Sequence, residues 1–221
     1  MNDVPLRVRE VQCFEWPFEL RMPFRFGMIT MTHGRQAVVR VRVALADGRE
    51  AWGMAAEALV AKWFDKNPAL SDEQNLDQLR RALELAGDAY LAHGFGTAFA
   101  HAADAYASLI AAGAAQGLPP LVTSYGPAVL DRAIADALGR LLSLSIFDLA
   151  RGNLLGLAPA VLAPDLAGFD APGFLAALVP LSHVHARHTV GMVDPITASD
   201  QETRLDDGLP ETLEEVVGTY G

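Results

Sequence analysis

Lysine is almost missing from this chain. Of its 17 basic residues only Lys62 and Lys66 are lysines, so chemistry that needs an amine base has two positions to draw on. Cysteine is scarcer still. Cys13 stands alone, which excludes an intrachain disulfide and suits a reducing compartment. Placed in a first strand, it reads as a small buried hydrophobe rather than a nucleophile. Basic charge is also short: a formal net charge of −10 and a pI near 4.9 leave no positive stripe for nucleic acid. "MNDVPLRVRE" has no apolar core of the kind a signal peptide carries. No uninterrupted apolar run approaches the roughly 18 residues a spanning helix needs. These absences describe an acidic, globular, cytoplasmic protein without a nucleic-acid or membrane partner. G-x-S-x-G, G-x-x-x-x-G-K and C-x-x-C are lacking too, and "HGFGTAF" at 93–99 falls short of G-x-G-x-x-G.

What is present begins with strands. "LRVREVQCF" alternates Leu6 and Val8 with Arg7 and Arg9. "AVVRVRVALADGREAWGMAAE" sets Val39, Val41, Val43 and Leu45 on one face and Arg40 and Arg42 on the other. Asp47-Gly48 is expected to supply two positive-φ positions for a tight turn, with Glu50 to Met54 pairing back. The intervening "RMPFRFGMITMTHG" has no clean period and reads as a loop.

Helices follow. Ser71 with Gln74 has capping-box spacing, ahead of a stripe of Leu76, Leu79, Leu83 and Ala86. Thr97 to Gln116 is alanine-rich, with Phe99, Ala103, Tyr106 and Ile110 on the expected inner face and Gly117 as cap. Pro127 opens a third helix that turns Leu130, Ile134, Ala137, Leu138 and Leu141 inward. "SIFDLARG" is one short turn ending at Gly152. Gly152 to about Pro180 is a connector. "HVHARHTVGMVD" alternates like a strand, and "LPETLEEVVGTYG" reads as a helix, with Pro210 at its start, Thr212 and Glu215 at box spacing, and Leu213, Val216, Val217 and Tyr220 on one face. The fold class is therefore α+β: a three-stranded antiparallel sheet (1–57), a helical bundle (71–152), then a connector and one βα unit (153–221).

"PFRFGMITMTHGRQAVVRVRVALADGREAWGMAAE" resembles the opening of the enolase superfamily, in its mandelate racemase/muconate lactonizing branch. "VLDRAIADALGRLLSLSIFDLARGNLLG" is similar to that family's last capping helix and its descent into the barrel, and "ARHTVGMVD" looks like its first barrel strand. One departure stands out: Ala51-Trp52-Gly53-Met54 lacks the first glycine and the glutamate of the family's G-x-G-E-like segment.

The resemblance implies residues 1–152 as a capping domain and 153–221 as a connector with the first, incomplete part of a β/α barrel. It implies magnesium-dependent proton abstraction alpha to a carboxylate by a racemase, dehydratase or cycloisomerase. In the family a lysine in K-x-K and the carboxylates that hold magnesium lie on barrel strands beyond the helix at 211–220. Lys62 and Lys66 are in no K-x-K. The expectation is thus a cap without catalytic or metal-binding residues, inactive as this chain alone, with magnesium belonging to the complete enzyme. Its partners would be a small carboxylate substrate and a barrel polypeptide, or self-association through uncovered surfaces.

By position, the resemblance assigns substrate contacts to two loops: Phe24, Arg25, Phe26, Met28 and Thr30 in the first, and Trp52, Met54 and Glu57 in the second. Arg25 would meet an anionic group while Phe24, Phe26 and Trp52 form apolar walls. The alternatives stay open at each: core packing for the aromatics, solvated surface for Arg25. A rival reading takes His183 and His185, an H-x-H near Asp194, as a weak metal site of amidohydrolase type.

Overall fold

The chain is described by a computed structural model that covers residues 4–27 and 29–221. Its strands are β1 (Leu6–Phe26), β2 (Ile29–Leu45) and β3 (Glu50–Ala58), in the order β1-β2-β3. The β2–β3 pairing is antiparallel, with Val39 opposite Ala55 and Val43 opposite Ala51. The valine alternation has the expected result: Val39, Val41 and Val43 are wholly buried on the inner face. Arg40 and Arg42 lie outward. Arg42 bonds Glu10 and Glu50, and the Arg40 guanidinium sits 4.5 Å from the Trp52 ring centre.

Two local expectations change. Only Gly48 takes a positive φ in the β2–β3 turn, at 88°, and the Asp47 carboxylate instead accepts from the Arg49 backbone and guanidinium. The stretch 23–34 is not a loop, since strand structure extends to Phe26 and resumes at Ile29, with Gly27 at a φ of 55° between them. Met22, Phe24 and Phe26 alternate there with Arg21, Pro23 and Arg25, a strand period that the punctuating Pro23 and Gly27 obscured.

Two compact units divide the chain, one made of residues up to Trp16 with Arg35–Leu181, the other of Pro17–Gly34 with Ser182–Gly221. In the first, the sheet's inner face meets a bundle of α1 (Ala61–Phe64), α2 (Asp72–Ala92), α3 (Ala98–Ala114), α4 (Pro120–Thr123), α5 (Tyr125–Leu142), α6 (Ile146–Arg151) and the short α7 (Ala171–Ala176). The capping box at Ser71 and Gln74 forms, and Leu79, Leu83 and Ala86 are buried behind it. In α3 the buried face runs through Ala98, His101, Ala105 and Leu109 rather than Phe99, Ala103, Tyr106 and Ile110. Tyr106 is exposed. Alanine on every side made the stripe ambiguous, and the small residues won the close contact. The α5 helix opens at Tyr125 rather than Pro127 and buries Leu130, Ile134, Ala137 and Leu138. Cys13 is exposed, contrary to the buried placement expected of it. Partial shielding and Glu84 both push its thiol pKa up.

The second unit holds the 17–34 part of β1 and β2 together with the segment 182–221. No strand forms over 184–193, where one was expected as the start of a βα unit. A strand needs a continuous neighbouring backbone for its amides and carbonyls, and among the described residues the segment makes one such bond, from the Met192 amide to the Arg25 carbonyl. Val184 is 85% exposed accordingly. The terminal helix α8 (Leu213–Tyr220) forms with its Thr212–Glu215 box, so Pro210 precedes the cap instead of opening the helix. It buries no residue, and Val217 and Tyr220 are exposed. Among the described residues no helix is long and apolar enough to cross a membrane.

Two interior features of the first unit have measurable consequences. A β-carbon on Gly53 would collide with the backbone oxygen of Ala133 and the nitrogen of Ala137 on α5. Gly53→Ala should therefore destabilise the fold by about 1–3 kcal/mol, the usual cost of overpacking, as read from the urea midpoint. The second is the Asp131 carboxyl, which accepts from the Tyr90 hydroxyl at 2.7 Å. Burial pushes its pKa up to about 6, against the opposing effect of that hydrogen bond. The folded state then holds a proton that the unfolded chain has released, so stability falls as pH rises from about 4 through about 6. Asp131→Asn should flatten that slope and raise the melting temperature at pH 7, by at most about 3 kcal/mol in free energy.

Candidate functional site

The assigned substrate contacts fall in different units and are taken separately. In the second unit, Phe24 and Phe26 flank Arg25 near the end of β1, with ring centres 5.8 Å apart and tilted by 35°. Residues i and i+2 of a strand share a face, so the two rings meet while Arg25 points the other way. Neither ring is fully exposed. The Arg25 carbonyl accepts from the Met192 amide at 3.1 Å, and a β-carbon on Gly191 would lie 3.1 Å from the Phe24 ring. The backbone here is held while the guanidinium is not. Its Nε is shut away from solvent without an acceptor, and no carboxylate pairs with it among the described residues. Thr30 is exposed on β2, and Met28 lies outside the described residues.

Trp52, Met54 and Glu57 sit on β3 and not in a loop, because every residue from Gln36 to Ala44 has a partner between Glu50 and Ala58. Trp52 carries the guanidiniums of Arg40 and Arg42 over its ring, at 4.5 and 5.8 Å. Met54 is half exposed, and its amide donates to Asp136 Oδ2 at 2.9 Å. Glu57 pairs with Arg132 at 2.8 Å. Its charge is already answered within the fold, whereas Arg25 has no ion-pair partner among the described residues.

Candidate bases and metal ligands were tested in the same way. Lys62 Nζ donates to the carbonyls of Asn67 and Leu70 at 3.2 and 2.9 Å, serving as a loop staple. His101 is fully buried on α3, with Nδ1 3.0 Å from the Thr97 carbonyl and Nε2 without a partner. That contact places the proton on Nδ1, and burial holds the ring's pKa below its ordinary value. His93, whose ring centre is 4.4 Å away, bonds Asp104 at 3.0 Å. His183 and His185 bring their rings to 5.8 Å, but among the described residues no group of three or more His, Cys, Asp or Glu converges to hold a metal ion.

No protein-family model and no curated protein matches the chain. Solved structures do. An enolase from alpha pretobacterium bal199, with bound magnesium, is 16% identical over 65% of this chain and 34% of its own, at a TM-score of 0.45. A mandelate racemase/muconate lactonizing enzyme-like protein from Rubrobacter xylanophilus is 18% identical over 66% of this chain and 33% of its own, at 0.42. L-talarate dehydratase from Polaromonas sp. JS666, complexed with magnesium and L-glucarate, is 16% identical over 66% and 35%, also at 0.42. The match spans about a third of each of those chains.

Reasoning from sequence missed Asp131 and Asp136. Asp131 had a signal, since it shares the helical face of Ile134 and Leu138, where a carboxylate is out of place. Asp136 had none, because its role depends on which strand α5 covers. The H-x-H reading has a direct check. Zinc titration of the chain and of its His185→Ala variant should give the same affinity, and a weaker variant would restore that site.

Proposed function

We propose that this chain is the capping, substrate-specifying part of a magnesium-dependent racemase or lyase of enolase-superfamily type, acting on a small carboxylate. On this reading residues 1–152 form the cap and 153–221 lead toward a barrel supplied by further polypeptide. The support is the sequence resemblance at 23–57 and 129–156, joined to an antiparallel sheet followed by helices. One observation carries the assignment of substrate contact: Arg25, on the strand face opposite the paired Phe24 and Phe26 rings, is a cation without an ion-pair partner among the described residues.

On this reading the base and the metal site come from elsewhere. Removing a proton alpha to a carboxylate creates an enediolate, which survives only beside concentrated positive charge in a pocket closed to water. Such a step needs a base of matched pKa. The side chain of Lys62 is committed to two carbonyls, and arginine does not give up its proton. The described residues do not fit a divalent ion, since they lack a converging set of donors. In this proposal the base and the magnesium ligands therefore lie on the barrel. In the second unit Arg25 would anchor substrate charge and Phe24 and Phe26 offer apolar surface; in the first, Trp52 offers apolar surface of its own.

The test is α-proton exchange of mandelate in deuterated buffer with magnesium. The chain by itself should show none, and exchange by the unaccompanied chain would overturn the proposal. Supplied with an enolase-superfamily barrel, exchange should appear, and Arg25→Gln should raise KM by about tenfold or more, the usual loss for a charge-assisted bond. An unchanged KM would remove Arg25 from the site.

A further inference from the structure

The second unit poses a problem of cohesion. Its α8 buries nothing, and over 182–212 the backbone forms only isolated turns and one short 3₁₀ helix, Ala198–Asp200. Hydrophobic packing of regular elements does not explain how this segment stays against Pro17–Gly34. The hydrogen bonds do. Arg21, on β1, donates Nε to Asp207 Oδ2 and Nη2 to Asp207 Oδ1, each at 2.6 Å. Its Nη2 also reaches the Leu209 carbonyl at 3.1 Å, and its Nη1 the Pro210 carbonyl at 3.0 Å. One guanidinium thus meets both oxygens of a carboxylate and two carbonyls, 186 or more residues away in sequence.

The receiving side is built in advance. Asp207 Oδ1 accepts from the Leu209 amide at 3.1 Å, and Gly208 turns the chain at a φ of 81°. Just beyond, the buried Glu211 carboxylate collects the amides of Leu205 and Asp206 and the side chain of Gln201. The loop at 201–211 therefore holds its shape through its own contacts and offers Arg21 a fixed socket. Surface ion pairs contribute little when two flexible chains must be frozen, but a bidentate pair with one partner already fixed escapes most of that cost. The Asp207 carboxyl is accordingly held down at about 2, chiefly by the Arg21 hydrogen bonds.

We propose that the Arg21–Asp207 socket, with the Met192–Arg25 backbone bond, is a latch that ties the 189–210 segment to β1 and fixes Phe24, Arg25 and Phe26 in place. Arg21 and Asp207 are then positioning residues. The importance given to Arg25 rests on the proposed function above; the latch itself does not.

Hydrogen exchange of the intact chain, followed by mass spectrometry, separates the two. In the wild type, peptides covering 18–33 and 189–210 should be protected. Asp207→Asn and Arg21→Gln should each speed exchange by about tenfold or more in both peptides, with the α5 peptide at 125–142 unchanged. Arg21→Lys should recover only part of the protection, because an ammonium cannot span both carboxylate oxygens and both carbonyls. No change, a change only in the peptide that carries the substitution, or full recovery by lysine would overturn the latch. None of these outcomes depends on whether Arg25 binds a carboxylate, so the latch and the functional reading can fail independently.

Discussion

The architecture of the larger unit depends on how closely α5 can lie on β3. Gly53 has no side chain, and the backbone of α5 at Ala133 and Ala137 occupies the space one would need. Once helix and strand touch backbone to backbone, the other contacts of α5 are determined. Leu130, Ile134 and Leu138 reach the core, and Tyr125 presents its hydroxyl to the Glu57 carbonyl at 3.3 Å. Asp136 meets the Met54 amide, and Arg132 meets Glu57. On the opposite side of the core, Arg80 of α2 gathers Glu15 of β1 together with Glu73 and Asp77 of its own helix. Ties of this kind commit Glu57, Arg80, Arg132 and Asp136 to partners inside the fold.

That economy matters for reading function. A charged residue in a protein is informative when its partner is missing. Glu57 and Lys62 are spoken for by neighbours, while Arg25 has a held backbone and, among the described residues, no ion-pair partner. The first two earn no catalytic role by position alone.

Much of the fold was legible where one face of an element is buried and the other is not. The β2 valines, the α2 capping box and the α5 leucines each obeyed a period imposed by the core. Legibility failed where that constraint lapses or is masked. Around Phe24 and Phe26 the punctuating Pro23 and Gly27 hid an alternation with Arg21 and Arg25 that is present, and in α3 alanine allowed more than one buried face, leaving His101 inside and Tyr106 outside. At 184–193 the pattern of a strand was present, but a pattern cannot supply the neighbouring backbone that a strand requires. For the candidate site the sequence offered a list of residues. Its separation between units and the pairing of Arg21 with Asp207 were not legible, because contacts over such sequence distances leave no local trace.

The Asp136 carboxylate on the Met54 amide has one more implication. β3 is a terminal strand, and an unpaired amide at such a margin is a foothold for another extended chain. A strand arriving there would have to displace a negative charge that is also held by Arg140 at 2.9 Å. Edge-to-edge pairing at Met54 is thereby opposed by a side chain that belongs to the helix and not to the sheet.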